Sequence, residues 1–255
     1  MPGDFRVMTT SSPRAPRPRP VHGTTVGIIV LDTRFHRLPG DVANAETWPF
    51  PVQFRVVRGV RPQDVIAGNP ADALARFYEA IDDLVGTGVA GITTSCGFLA
   101  AVHPELRRYS PVPIATSSLM QIPLALSLLP EAQTVGIIVS DKAALKDAHF
   151  RNSGAPLGLP MGELPFDGPI RSHMRNNAPL ADHAAQEREV LEVVERMLTE
   201  TPTIGAIVSE CANLPPFSAA IRQTFGLPVY DIVSLVEWMY AGLKPRRFDD
   251  ATRAR

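Results

Sequence analysis

The chain repeats itself. Thr25-Val26-Gly27-Ile28-Ile29-Val30-Leu31-Asp32 recurs as Thr134-Val135-Gly136-Ile137-Ile138-Val139-Ser140-Asp141, and Gly91-Ile92-Thr93-Thr94-Ser95-Cys96 is matched by Ala206-Ile207-Val208-Ser209-Glu210-Cys211. An arginine (Arg107, Arg222) and then a proline opening another apolar run (Pro113, Pro228) follow each cysteine at matching distances. Such duplication confines the fold to two similar halves related by a pseudo-twofold axis. The chain has 2 cysteines, one in each copy, so the repeat also implies a site in which two thiols face one another.

Periodicity says what each half is made of. Strand candidates fall at 24–31, 53–57, 89–95, 112–116, 134–140, 204–210 and 228–231, nearly continuous in Val, Ile and Thr, as suits parallel strands covered on both faces. Between them Leu74, Phe77, Tyr78, Ile81, Leu84 and Val85 recur at helical spacing, as do Val190, Leu191, Val194, Met197 and Leu198 within a helix predicted over 182–200. Pro202 and Gly205 close that helix. Strands alternating with helices form right-handed crossovers, so the fold class is α/β, with layered sheets. The first half spans 24–117 and the second 118–227. The last strand and helix, 228–244, are expected to cross back and complete the first. Ligands of open α/β sheets bind beyond the carboxyl ends of the strands, which is where both cysteines stand, so the ligand is expected between the halves.

Composition removes other classes. Charges balance at 25 basic and 26 acidic residues, leaving no electrostatic footprint for nucleic acid or an anionic membrane. No apolar run is long enough to span a bilayer. Residues 1–23 interleave Pro13, Pro16, Pro18 and Pro20 with Arg14, Arg17 and Arg19, and this tail is read as disordered, as is a flexible C-terminal tail at 245–255. The N-terminal segment lacks the apolar centre of a secretory signal, so the expectation is a cytoplasmic protein with free thiols. Two cysteines without a histidine at ligand spacing do not make a zinc site. Neither metal nor cofactor is expected.

One buried cysteine is commonly a small core hydrophobe. Two at equivalent strand ends, each just before a helix start where dipole and free N–H groups favour thiolate, point to chemistry. One as thiolate and one as thiol would remove a proton α to a carboxylate from one face and return it from the other, which inverts a stereocentre. The intermediate needs donors for its carboxylate oxygens. Thr94, Ser95, Ser209 and the backbone N–H groups of Gly97 and Asn213 are the candidates. The stretch 32–51 lies beyond a strand end and is long for a plain connection. It is read either as a substrate-contacting element or as a surface loop docked through Trp48 and Phe50. Arg34 is its candidate for an anionic group. Asp32, equivalent to Asp141, is a candidate ligand contact or helix cap. Glu210, which precedes Cys211, is read either as orienting or tuning it or, since neighbours on a strand face opposite ways, as a solvent-facing or salt-bridged side chain, and the second is the expectation.

With these features the chain resembles the aspartate/glutamate/hydantoin racemase superfamily over roughly 24–244. The resemblance implies two flavodoxin-like α/β/α halves, a ligand site between them, cofactor-independent chemistry and a homodimer. It makes Cys96 and Cys211 the acid/base pair and places Thr94, Ser95 and Gly97 on one carboxylate-binding loop and Asn213 on the other. Thr116 and Ser117 are expected to line the pocket. Cys211-Ala212-Asn213 stands where amino-acid racemases have Cys-Thr-Glu or Cys-Thr-His, and is closer to the hydantoin racemase pattern. The function expected is an isomerase: a racemase or epimerase of an amino acid or a derivative such as a hydantoin, acting on a small-molecule carboxylate. The alternative is a decarboxylase or cis–trans isomerase of a small dicarboxylate on the same scaffold.

Overall fold

The computed structural model describes residues 19–248; Pro13, Arg14, Pro16, Arg17 and Pro18 of the tail expected to be disordered, and residues 249–255, lie outside them. Two four-stranded parallel sheets carry the fold. In the first, β1 (Val26–Leu31), β2 (Val52–Val57), β3 (Gly91–Thr94) and β4 (Ile114–Ala115) stand in the order β2-β1-β3-β4. In the second, β5 (Thr134–Val139), β6 (Met161–Glu163), β7 (Ile204–Ser209) and β8 (Val229–Tyr230) stand in the order β6-β5-β7-β8. The matching orders and all-parallel pairing make the two halves α/β units of the kind the repeat implied. The strands β1 and β7 are buried along their whole length, as continuous Val/Ile runs between helical layers must be.

The helix Leu74–Thr87 buries Phe77, Ala80, Ile81 and Leu84 and stops at Gly88, whose φ of 100° is left-handed, a conformation glycine adopts without steric cost. The helix His183–Glu200 starts where Asp182 accepts a hydrogen bond from the Ala185 N–H at 3.0 Å, an N-cap. It buries Val190, Val193, Val194 and Met197.

Two connections differ from expectation. The strand β8 does not return to the first sheet. It pairs with β7, Val229 opposite Ile207 and Tyr230 opposite Val208, and the Ile207 N–H bonds the Pro228 carbonyl at 2.9 Å. Only the helix Ile232–Leu243 crosses back, packing Ile232, Leu235, Val236 and Met239 against Val26, Ile28 and Val30 of β1. The helix Ile122–Leu128, which follows β4, makes the reciprocal crossing onto β5. Each half thus lends one helix to the other, which fixes the angle at which the two strand ends meet. The strand β6 went unseen because it is short and has glycine at its centre, without the β-branched residues that mark the other strands. Among the described residues no helix is long and apolar enough to cross a membrane.

Candidate active site

The carboxyl ends of β1, β3, β5 and β7 open onto one cavity of about 500 Å³ between the halves, lined from both sides by Ser95, Cys96 and Gly97 and by Glu210, Cys211 and Asn213. Each cysteine is set by the residue before it. The Ser95 N–H bonds the Ile29 carbonyl and the Glu210 N–H the Ile138 carbonyl, both at 2.9 Å, so each sheet extends one step past its strand and then releases the thiol at its rim. Cys96 is 7% and Cys211 8% exposed, and both are unoxidised.

Burial pushes both thiols up, and the neighbouring Glu210 carboxylate pushes in the same direction; Cys211 reaches about 12. The backbone N–H groups of Phe98 and Leu99 act the other way on Cys96, as does that of Asn213 on Cys211. The Cys211 Sγ also lies 3.6 Å from the Asn213 Oδ1. Asn213 in turn donates through Nδ2 to Asp41 Oδ2 at 2.6 Å, and Asp41 is paired with Arg37 at 2.8 Å. This chain ties the 32–51 loop to the second cysteine. The loop is also anchored through buried Trp48, whose Nε1 donates to the Val42 carbonyl at 3.0 Å, so it is both docked and part of the cavity wall.

Glu210 is the main surprise of the site. It was expected to face away, yet it is 1% exposed, reaches the cavity, and neither carboxyl oxygen has a hydrogen-bond partner among the described residues. Strand alternation fails here because β7 ends at Ser209. Burial alone raises its carboxyl from the usual 4.5 to about 8.

The other sequence candidates divide. Ser95 lines the cavity, its Oγ accepting the Leu31 N–H at 3.1 Å. Asp32 also lines it, but holds the Gly59 N–H at 2.8 Å. Thr94 is fully buried behind the cavity wall, its Oγ1 donating to the Thr116 carbonyl at 3.0 Å. Thr116 pairs with His103 at 3.0 Å, Ser117 accepts the Leu119 N–H as a cap at 3.3 Å, and Ser209 is fully buried; none of the three lines the cavity. Of these hydroxyls that of Thr94 ties two strand ends together, while that of Ser209 has no partner among the described residues. Arg34 is exposed and outside the cavity; Arg37 of the same loop lines the cavity instead, paired with Asp41. Sequence reasoning missed Arg61, Arg171 and Arg175, and the apolar patch of Phe35, Phe166 and Met174, because these sit on connections that carry no repeat. Among the described residues no cluster of three or more His, Cys, Asp or Glu side chains is placed to hold a metal ion.

Comparison with known proteins separates fold from reaction. A scan against protein-family models finds no match. Solved structures of the same fold include an allantoin racemase from Klebsiella pneumoniae (TM-score 0.59, 16% identical, covering 87% of each chain). A variant arylmalonate decarboxylase in its sulfate-associated form gives a TM-score of 0.58 at 16% identity, covering 86% of this chain and 92% of that one. In sequence, the chain is 28% identical over 226 residues to a dimethylsulfoniopropionate lyase of Durusdinium sp. clade D, covering 86% of this chain and 74% of that protein. It is 29% identical over 236 residues to dimethylsulfoniopropionate lyase 3 of Emiliania huxleyi, covering 86% of this chain and 60% of the relative. The chain therefore spans about three fifths of some relatives' length, and 43% of another.

These relatives overturn the expected racemase, its assignment as an isomerase and its place in amino acid metabolism. The sequence relatives are lyases, and the decarboxylase alternative, also a lyase reaction, stands closer to them. The error has a physical reason: removing a proton α to a carboxylate is the first step of both inversion and elimination, so a thiol pair alone does not distinguish them. The chain has the fold of the aspartate/glutamate/hydantoin racemase superfamily, and the relatives it resembles in sequence are dimethylsulfoniopropionate lyases.

Proposed function

We propose that this chain is a carbon–sulfur lyase of a sulfonium carboxylate, with dimethylsulfoniopropionate as the first substrate to test. One thiolate of the Cys96/Cys211 pair takes the α-proton. The electron pair left on the α-carbon forms the carbon–carbon double bond as the carbon–sulfur bond breaks, and dimethyl sulfide leaves with the bonding electrons. The products are dimethyl sulfide, acrylate and one proton. The observation that carries this reading is the likeness to dimethylsulfoniopropionate lyases across 86% of the chain, which includes both cysteine loops.

The cavity suits such a zwitterion. Thiols raised by burial are strong bases once ionised, as a weakly acidic C–H requires. Arg37, Arg171 and Arg175 are already held by Asp41, Asp141 and Asp167 at 2.8, 3.3 and 3.2 Å. Arg61 has its nearest carboxylate, Asp64, at 3.9 Å, and is assigned to the substrate carboxylate. Phe35 and Phe166 already carry the guanidinium groups of Arg37, Arg171 and Arg175 at 4.2, 4.9 and 4.3 Å from their ring centres, so with Met174 they serve the methyl groups of the dimethylsulfonium as apolar cavity wall. Both cysteines must remain reduced for this chemistry, which a reducing compartment such as the cytoplasm would support.

The test is headspace gas chromatography of dimethyl sulfide over the purified chain with dimethylsulfoniopropionate, beside an iodoacetamide challenge. Enzyme-dependent sulfide release and protection of the thiols by substrate are expected. Absence of release with a correctly folded chain would refute the proposal.

A further inference from the structure

Ser95 and Glu210 occupy equivalent positions in the two copies. Each precedes its cysteine, and each N–H extends its own sheet by one bond. Ser95 is small, and its hydroxyl is engaged. Glu210 is long, buried and, among the described residues, unpartnered at both oxygens. The first half makes room for it: the space a side chain on Gly97 would fill is taken by the Glu210 carboxyl and carbonyl oxygens. The carboxyl of one half therefore lies against the residue that follows Cys96, while its own chain neighbour is Cys211. An unpaired buried carboxyl is costly, and a thiol pair on its own gives no reason for it.

Proton balance gives that reason. Inversion returns a proton to the carbon that loses one, and decarboxylation puts a proton on the carbon that loses CO2, so neither leaves a proton behind on the thiol. Elimination does: the thiolate that takes the α-proton is left as a thiol and must shed that proton before the next turnover. Thiols this deeply buried do not lose it readily by themselves.

We propose that Glu210 takes the thiol proton of the Cys96/Cys211 pair and releases it through the cavity, so that a resting thiol and carboxylate become a working thiolate and carboxylic acid. This inference rests on the lyase reading above. The carboxylate accepts the thiol proton, the thiolate removes the α-proton as the carbon–sulfur bond breaks, and the carboxylic acid gives its proton to water. No electrons are gained or lost overall. Burial holds the carboxyl near 8, so it is ionised and able to accept a proton as pH rises through 8, and sulfide release is expected to rise over the same range. Its acid is still much stronger than the buried thiols and gives its proton to water readily. The charged groups around the cavity are Asp32, Arg37, Arg61, Asp141, Arg171 and Arg175. None bonds Glu210: the Asp32 carboxylate holds a backbone N–H, Asp141 holds Arg171, and Arg37, Arg61 and Arg175 face Asp41, Asp64 and Asp167.

The chain has no other cysteines, so alkylation by iodoacetamide reports on this pair alone. Its rate, measured against pH, should rise in the wild type and level off above about 8, where Glu210 is ionised. In Glu210→Gln the levelling should vanish, the rate climbing tenfold per pH unit as a lone thiol does, and steady-state sulfide release should fall about 10²-fold, the usual contribution of a proton-transfer group. A wild-type rate that keeps climbing past pH 9 overturns the proposal, whether or not the variant folds. So does an unchanged plateau in Glu210→Gln. A plateau without any release of dimethyl sulfide supports the proton exchange and contradicts the lyase reading instead.

Discussion

Gly97→Ala is the sharpest structural test of the site. The added methyl would overlap the carbonyl and carboxyl oxygens of Glu210, with the carboxyl carbon at 3.0 Å. The Glu210 backbone has no easy retreat, because its N–H is bonded to Ile138 in the middle of the second sheet at 2.9 Å. Gly97 is pinned from its own side by the Ser95–Ile29 bond. Overpacking of this kind costs about 1–3 kcal/mol, and a chain of this size loses roughly 2–4 °C of melting temperature per kcal/mol. Gly86→Ala is the control, since a methyl there meets nothing within 4 Å and replaces a helical glycine, which should stabilise by about 0.5–1 kcal/mol. Both are measured by thermal and urea unfolding. A Gly97→Ala protein that melts with the wild type and alkylates normally would refute the packing of Glu210 against the Cys96 loop.

Other consequences follow from the same geometry. A carboxyl raised from 4.5 to about 8 binds a proton in the folded chain that the unfolded chain has released. Its contribution to stability is therefore complete below pH 4.5 and is lost as pH rises through 8. Glu210→Gln should remove that slope and leave the variant more stable than wild type well above pH 8, by on the order of 5 kcal/mol at one pKa unit per 1.36 kcal/mol; equal urea midpoints across pH 5–9 in both proteins would contradict this. Asn213→Ala removes the 2.6 Å bond to buried Asp41 and the contact with Cys211, and should cost about 1–3 kcal/mol and slow turnover. Circular dichroism melts and sulfide release read the two effects. Arg61→Gln should raise KM about tenfold with kcat nearly unchanged, the loss of roughly one charge-assisted hydrogen bond; a fall in kcat alone would assign the substrate carboxylate elsewhere.

Much of the architecture was legible because duplication is visible in residues. The recurrence of Thr25–Asp32 at Thr134–Asp141 marked two equivalent central strands, and the paired cysteines marked the strand ends that meet. What was not legible depends on events that leave no periodic trace. The partner of β8 is set by where a two-residue strand finds free hydrogen-bonding groups. Arg61, Phe166 and Arg171 enter the cavity from connections unique to one copy. Glu210 was misread because strand alternation was carried one residue past the end of β7. The reaction was the least legible part: the thiol pair announces α-proton removal, while the fate of the electron pair depends on whether the substrate carries a leaving group.

The most direct test of the central claim is to measure dimethyl sulfide and acrylate together from dimethylsulfoniopropionate, using wild type, Cys96→Ser and Cys211→Ser. Equal molar amounts of both products from the wild type are expected, with either substitution lowering the rate by about 10²-fold or more. Undiminished product formation in both Cys96→Ser and Cys211→Ser, or a folded wild type that forms neither product, would contradict it.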